Sequence, residues 1–143
     1  MMQQIIEFAG NHWELVLALV VVSGLLVHNL TVGDKGNVTP LEAVDLINRK
    51  EAVVVDVRPT ADYSKGHVLH AVNIPSNGFA SQIDTLKKYK EKARPIIVAC
   101  RSGAQSAHAA KLLRKAGFEE VYNLRGGILA WQSANLPVSR KKH

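Results

Sequence analysis

The sequence predicts an α/β fold: a doubly wound, mainly parallel sheet flanked by helices, preceded by one N-terminal transmembrane helix. Three observations predict it. Two short runs, Ala52-Val53-Val54-Val55-Asp56-Val57 and Ile96-Ile97-Val98-Ala99, are apolar at nearly every position, as strands buried on both faces of a parallel sheet must be. Patterns of helical period alternate with such runs, which is the signature of a layered α/β domain. An uncharged apolar stretch precedes all of them.

Residues 1–14 read as an N-terminal tail, with Ile5, Ile6 and Phe8 as a short apolar face. Of residues 15–30, twelve are strongly apolar and none is charged. A helix over 15–32 would be about 27 Å long, slightly short of a hydrocarbon core of ~30 Å. Trp13 at one end and His28-Asn29 at the other suit the two interfaces. A signal peptide needs a positive n-region and a small-x-small cleavage site, and neither is clear. A core helix this uniformly apolar needs a large core around it. The expectation is therefore a membrane anchor at 15–32. No Lys or Arg precedes Lys35, whereas Lys35, Arg49 and Lys50 follow the span. By the positive-inside rule, residues 35–143 are expected in the cytoplasm.

Residues 33–38 read as a polar linker and 39–138 as the soluble domain. Thr39-Pro40-Leu41-Glu42 is a capping box with proline at the first helical position, so a helix is expected over 40–49. A strand follows at 52–57, closed by Asp56 and Arg58. Pro59 opens a polar turn. Gly66-His67-Val68 comes next, and Ala71-Val72-Asn73-Ile74-Pro75 reads as a short strand ended by proline. Residues 81–90 read as a basic amphipathic helix with Ile83, Leu86 and Tyr89 inward. The strand 96–99 leads to a helix over about 104–116, stopped by Gly117. A strand at 121–124 and a short helix near 126–131 complete the domain, and 139–143 is a basic tail.

Composition narrows the chemistry. All 18 basic residues lie in 35–143, together with nine acidic ones, which favours anionic partners. Aromatic residues are sparse and do not interleave with a basic helix, so nucleic acid is not expected. A single cysteine excludes an intramolecular disulfide framework and a multi-cysteine metal site; no metal and no cofactor is expected. That cysteine, Cys100, ends an apolar strand just before a predicted helix. A helix N-terminus presents unpaired N–H groups and a partial positive charge. Such a place binds anions and lowers a thiol pKa. Gly103 allows a tight loop with close backbone approach. The loop therefore reads as a thiolate nucleophile in an anion cradle.

Asp56-Val57-Arg58, Gly66-His67-Val68 with Ala71-Val72-Asn73-Ile74-Pro75, Cys100-Arg101-Ser102-Gly103-Ala104-Gln105-Ser106, Gly117-Phe118 and Leu124-Arg125-Gly126-Gly127-Ile128-Leu129-Ala130-Trp131 stand in an order and spacing that resembles the single-domain rhodaneses, a sulfurtransferase family. The resemblance covers about residues 38–138. With the anchor, the chain is similar to small membrane-tethered rhodaneses of proteobacteria. The resemblance implies a rhodanese-like doubly wound sheet and ping-pong transfer of a sulfane sulfur. Cys100 would be the catalytic nucleophile and persulfide carrier. Arg101, Ser102, Gly103, Ala104, Gln105 and Ser106 would bind substrate, with Asp56 and Arg58 as candidate supporting residues. The expected partners are a small anionic sulfur donor such as thiosulfate, a thiol or cyanide acceptor, and a membrane protein beside the anchor. The expected location is the bacterial inner membrane, crossed once. Many active relatives carry a second basic residue where Gln105 stands, so the donor is left open.

Two rivals are weighed against this reading. A cysteine phosphatase loop places Arg six positions after Cys for bidentate phosphate binding; here that position is Ser106. A tethered interaction module with little catalysis is the alternative, although such modules commonly lose the cysteine. Asp56, Arg58, His67 and Trp131 are expected to be structural, and no spacing supports a Cys–His pair.

Overall fold

The computed structural model describes residues 1–32 and 36–141. The chain divides into an N-terminal unit and a second unit that begins at Gly36. In the first unit, α1 (Met2–Asn11) and α2 (Trp13–Val32) are separated by His12. The tail expected over 1–14 is therefore helical for most of its length. The i, i+3, i+4 spacing of Met2, Ile5, Ile6 and Ala9 gathers them on one stripe of α1, which accounts for the helix. Leu15, Leu19, Val22 and Leu26 of α2 are all exposed. Among the described residues no single helix is long and apolar enough to cross a membrane. α1 and the stretch Trp13–His28 meet that test together, bent by 93°.

The second unit runs β1 (Asn37–Val38), α3 (Pro40–Lys50), β2 (Val53–Asp56), α4 (Thr60–Lys65), β3 (His67–Val68), β4 (Val72–Asn73), α5 (Phe79–Gln82), a 3₁₀ turn (Ile83–Leu86), α6 (Lys87–Glu91), β5 (Ile96–Ala99), α7 (Ala104–Lys115), β6 (Val121–Leu124), α8 (Gly127–Ser133) and β7 (Val138–Ser139). Five strands form one sheet in the order β1-β6-β5-β2-β4. Every pairing in it is parallel. β3 and β7 form a separate antiparallel pair.

Alternation along the central strands builds two cores. Val53, Val55 and Val57 share one face of the sheet with Ile96 and Val98; Phe79, Leu86, Ala109, Ala110 and Leu113 cover it from α5, the 3₁₀ turn and α7. Val54, Ile97 and Ala99 point the other way, under Ala43 of α3, Tyr63 of α4 and Ile128 and Trp131 of α8. The sheet is thus wound on both faces, as predicted.

Three boundaries differ from the sequence reading. The linker expected over 33–38 ends earlier. Asn37 and Val38 pair with Asn123 and Leu124, and the amides of Asn123 and Arg125 donate to the carbonyls of Gly36 and Val38. Residues 33–35 of that linker lie outside the described residues. The basic tail expected over 139–143 starts later, because Ser139 pairs with His67; residues 142–143 lie outside the described residues. The helix expected over 81–90 is broken into α5, the 3₁₀ turn and α6. Its inward residues Ile83, Leu86 and Tyr89 recur every third position, which is the period of a 3₁₀ turn rather than of an α-helix.

Helix ends follow local chemistry. Thr39 Oγ1 accepts from the Glu42 amide at 3.2 Å, with Pro40 in the first turn. α7 stops at Gly117 (φ +93°). There the Phe118 amide donates to the Leu113 carbonyl and the Gly117 amide to the Arg114 carbonyl, the paired closure that left-handed glycine permits.

Topology positions the site. From β2 the chain moves outward to β4, then returns past β2 to β5 and continues outward to β6. The strand order therefore reverses between β2 and β5. The carboxyl ends of two such strands border the crevice where α/β sheets place ligands. Asp56-Val57-Arg58 ends one of them and Cys100 the other.

Candidate active site

Cys100 follows β5 and is 1% exposed. The next three residues turn without regular structure, and α7 begins at Ala104. The residue before α7 is Gly103 in the left-handed region (φ +101°). It has no side chain to occupy the first-turn amides, which lack intrahelical partners. A Cβ at Gly103 would sit 3.4 Å from the Leu124 carbonyl oxygen and 3.5 Å from the Gly126 nitrogen, so the loop lies close against the end of β6.

The sulfur sits among donors. The Gly103 amide donates to Cys100 Sγ at 2.9 Å and the buried Ser106 hydroxyl at 3.2 Å. Burial pushes the thiol pKa up. The Ser106 hydroxyl and the amides of Ser106, Gly103 and Ser102 outweigh it, so the thiol is held below its ordinary value. Hydrogen bonds that favour the charged form are the cause. The expectation of a stabilised thiolate at a helix N-terminus acquires specific donors here.

The loop carbonyls are held from outside. Ile128 N donates to the Cys100 carbonyl at 2.8 Å and Leu129 N to the Arg101 carbonyl at 3.3 Å. Asn123 Nδ2 donates to the Gly103 carbonyl at 3.1 Å. A planar trans peptide points its C=O and N–H in opposite directions. Fixing these three carbonyls therefore turns the amides of Arg101, Ser102 and Ala104 away from the β6–α8 segment. Gly127 (φ +62°) is what lets α8 come so near, since a Cβ there would collide with the carbonyl oxygens of Cys100 and Arg101.

The candidate residues separate into groups. Cys100, Gly103 and Ser106 meet directly. Arg101 and Ser102 lie exposed on the same loop, and Ala104 and Gln105 lie exposed on the first turn of α7. Asp56 and Arg58 form a different unit. Arg58 Nε bonds both carboxylate oxygens at 3.0 Å, and Nη2 bonds Asp56 Oδ2 and the Gly66 carbonyl at 2.7 Å. Asp56 is fully buried and Arg58 nearly so, so their main role is to tie the end of β2 to Gly66. Arg58 also lines a cleft of about 160 Å³ with Asp62, Lys65, Arg101, Leu129 and Gln132. That cleft brings two exposed cations, Lys65 and Arg101, and the Asp62 carboxylate together beside the loop. His67 is buried and stacks on Tyr63 at 3.7 Å, Trp131 is core, and His108 is exposed on α7. Among the described residues no group of three His, Cys, Asp or Glu is arranged to hold a metal ion.

Sequence reasoning missed Asn123, Asn37 and the α8 amides. Asn123 had a signal: it is a polar residue inside the strand Val121-Tyr122-Asn123-Leu124, where a buried polar group needs partners. The backbone amides of Ile128 and Leu129 had none, because every residue carries one.

The family model described as Rhodanese-like domain matches residues 39–134. The uncharacterized protein YibN of Escherichia coli K12 is 40% identical over 99% of this chain and all of its own length. The thiosulfate sulfurtransferase GlpE of Glaesserella parasuis is 31% identical over 71% of this chain and 90% of its own. Among solved structures, the BH2092 protein of Bacillus halodurans superposes with a TM-score of 0.68 at 25% identity, covering 84% of this chain and 91% of that one.

Proposed function

Because the chain belongs to the single-domain rhodanese family, we propose that it is a sulfurtransferase in which Cys100 carries a sulfane sulfur as a persulfide. The observation that carries this reading is the sulfur itself: the chain's one thiol, at the end of a central parallel strand, accepts hydrogen bonds from Gly103 and Ser106. In the first half-reaction the Cys100 thiolate attacks the outer sulfur of a donor such as thiosulfate. A new S–S bond forms, the donor's S–S bond breaks, and its electron pair leaves with sulfite. In the second, cyanide or a thiolate attacks the terminal sulfur. The Sγ–S bond breaks and its electron pair returns to Sγ as thiolate.

The residues suit these steps. The Gly103 amide, already aimed at the sulfur, needs no reorganisation as charge develops. The amides of residues 101–105 would cradle the terminal sulfur and the donor's oxygens, and Arg101 would attract the anion. Gln105 adds donors but no charge, so the physiological donor need not be thiosulfate.

The proposal extends to location. Residues 15–32 would cross the bacterial inner membrane once, leaving the rhodanese domain in the cytoplasm beside a membrane-protein partner. The uncharged apolar run and the absence of Lys and Arg before residue 35 support this.

The test is a mass measurement on the purified chain incubated with thiosulfate or a persulfide donor. Sulfur transfer predicts the added mass of one sulfur atom, removed by cyanide and absent in Cys100→Ser. No loading with any donor would overturn the enzyme reading and favour the tethered interaction module.

A further inference from the structure

The Ser106 hydroxyl has one proton and two acceptors. It lies 3.2 Å from Cys100 Sγ and within hydrogen-bond reach of Asn123 Oδ1. The orientation of the Asn123 amide follows from its other contacts. Its second end meets the Gly103 carbonyl at 3.1 Å, and a carbonyl only accepts. That end is therefore Nδ2, which also donates to Asn37 Oδ1 at 3.1 Å. The end facing Ser106 is then Oδ1, which only accepts. The backbone bond from the Asn123 amide to the Gly36 carbonyl, just before β1, and the pairing of Asn123 with Asn37 hold the strand carrying this amide. Asn123 and Ser106 are both buried, so the competition for the proton takes place away from water.

We propose that Asn123 is a positioning residue for the sulfur chemistry, acting as the alternative acceptor of the Ser106 proton. When Cys100 is a thiol, S–H donates to Ser106 Oγ and Ser106 donates to Asn123 Oδ1. When Cys100 is a thiolate, the Ser106 O–H turns to the sulfur and leaves Asn123. In the persulfide, Sγ is bonded to two atoms and uncharged, so the hydroxyl returns to Asn123. The hydroxyl reorients in each half-reaction without transferring a proton, so no co-reactant is needed. Through this competition Asn123 opposes ionisation and limits how far the loop lowers the thiol pKa. That limit matters to a carrier which must both attack and leave: nucleophilicity falls as the thiol pKa falls, whereas departure improves. The functional meaning rests on the sulfurtransferase reading, but the proton competition does not.

The remaining charged or titratable groups on the surrounding elements are Arg101 in the same loop, the Asp56–Arg58 pair ending β2, His108, Lys111, Arg114 and Lys115 on α7, Tyr122 on β6 and Arg125 before α8. They are the same in every variant below.

Cys100 is the only cysteine, so the pH dependence of iodoacetamide alkylation of the full chain reads its ionisation alone. Asn123→Ala is compared in the wild-type and Ser106→Ala backgrounds. Loosening of the Gly103 carbonyl affects both backgrounds and cancels in the difference. The expected coupling is downward: with Ser106 present, Asn123→Ala leaves the apparent pKa about half a unit lower than the Ser106→Ala cycle predicts, or about threefold in thiolate fraction at a given pH. Zero or upward coupling would overturn the proposal. A second measurement needs no Asn123 variant. The Asn123 carboxamide NMR signals of the intact chain should shift through the thiol titration and stay still in Cys100→Ser. Signals that do not move in the wild type would also overturn it. Either result is independent of sulfur loading, which tests the enzyme reading separately.

Discussion

At the scale of single residues, two buried groups carry opposite responsibilities. Cys100 is stabilised as an anion by hydrogen bonds that outweigh its burial. The native thiol therefore holds its proton less tightly than the unfolded chain does. Alkylation and sulfur uptake should rise at a lower pH than for an ordinary thiol, and should fall as pH drops through the native pKa. The same linkage adds stability above the ordinary thiol pKa, and it is lost on the acid side of the native one. A profile in wild type that matches a free cysteine would contradict this. Asp56 is the other case. Its carboxylate is fully buried against Arg58, and removing it leaves a nearly buried guanidinium without its anion. Asp56→Ala should cost about 3 kcal/mol, read as a lower Cm at unchanged m. Cys100→Ser, which removes the nucleophile by exchanging a single side-chain atom, should abolish sulfur transfer with little change in Cm.

At the scale of elements, the loop is built by its neighbours. β5 delivers the thiol, the loop supplies the Ser102 and Gly103 amides and α7 supplies Ser106, but the N-terminus of α8 holds the Cys100 and Arg101 carbonyls. Gly127 permits that approach. In Gly127→Ala the new methyl meets both oxygens, and the left-handed φ is strained for alanine. α8 must retreat, and the loop loses its outer support. The expected result is destabilisation by about 2 kcal/mol and a rise of the thiol pKa toward the ordinary value. Stopped-flow alkylation and a melting curve check the two parts. A fully stable Gly127→Ala with unaltered alkylation would show that the loop keeps its shape without α8.

At the scale of the whole molecule, two units of different character share one chain. From Gly36 onward the protein has its own two-sided core, whereas α2 exposes most of its apolar residues between Trp13 and Val27. Deleting residues 1–32 should therefore yield a soluble fragment that keeps the far-UV CD of the domain and loads sulfur on Cys100. Recovery of that fragment in carbonate-washed membranes would refute the anchor at 15–32. Loss of loading in a folded fragment would mean that the N-terminal unit contributes to the chemistry.

Much of this protein was legible in its sequence because the signals were local. β-branched runs announced the strands of both cores, Thr39-Pro40 and Gly117 marked helix ends, and a lone cysteine between a strand and a helix announced a thiolate. The boundaries at 37–38 and 138–139 were not legible. Two-residue strands have no periodicity of their own and exist only through pairing with distant residues. The same holds at the site. Cys100 and Ser106 were identifiable from one heptapeptide, but Asn123, with Asn37 bonded behind it, and Gly127 come to them from separate parts of the chain. Sequence by itself determined which groups can be acidic, nucleophilic or apolar, because those are properties of side chains. The tertiary structure decided which donor faces which acceptor, because hydrogen bonds depend on distance and direction that only the packed sheet and helices set.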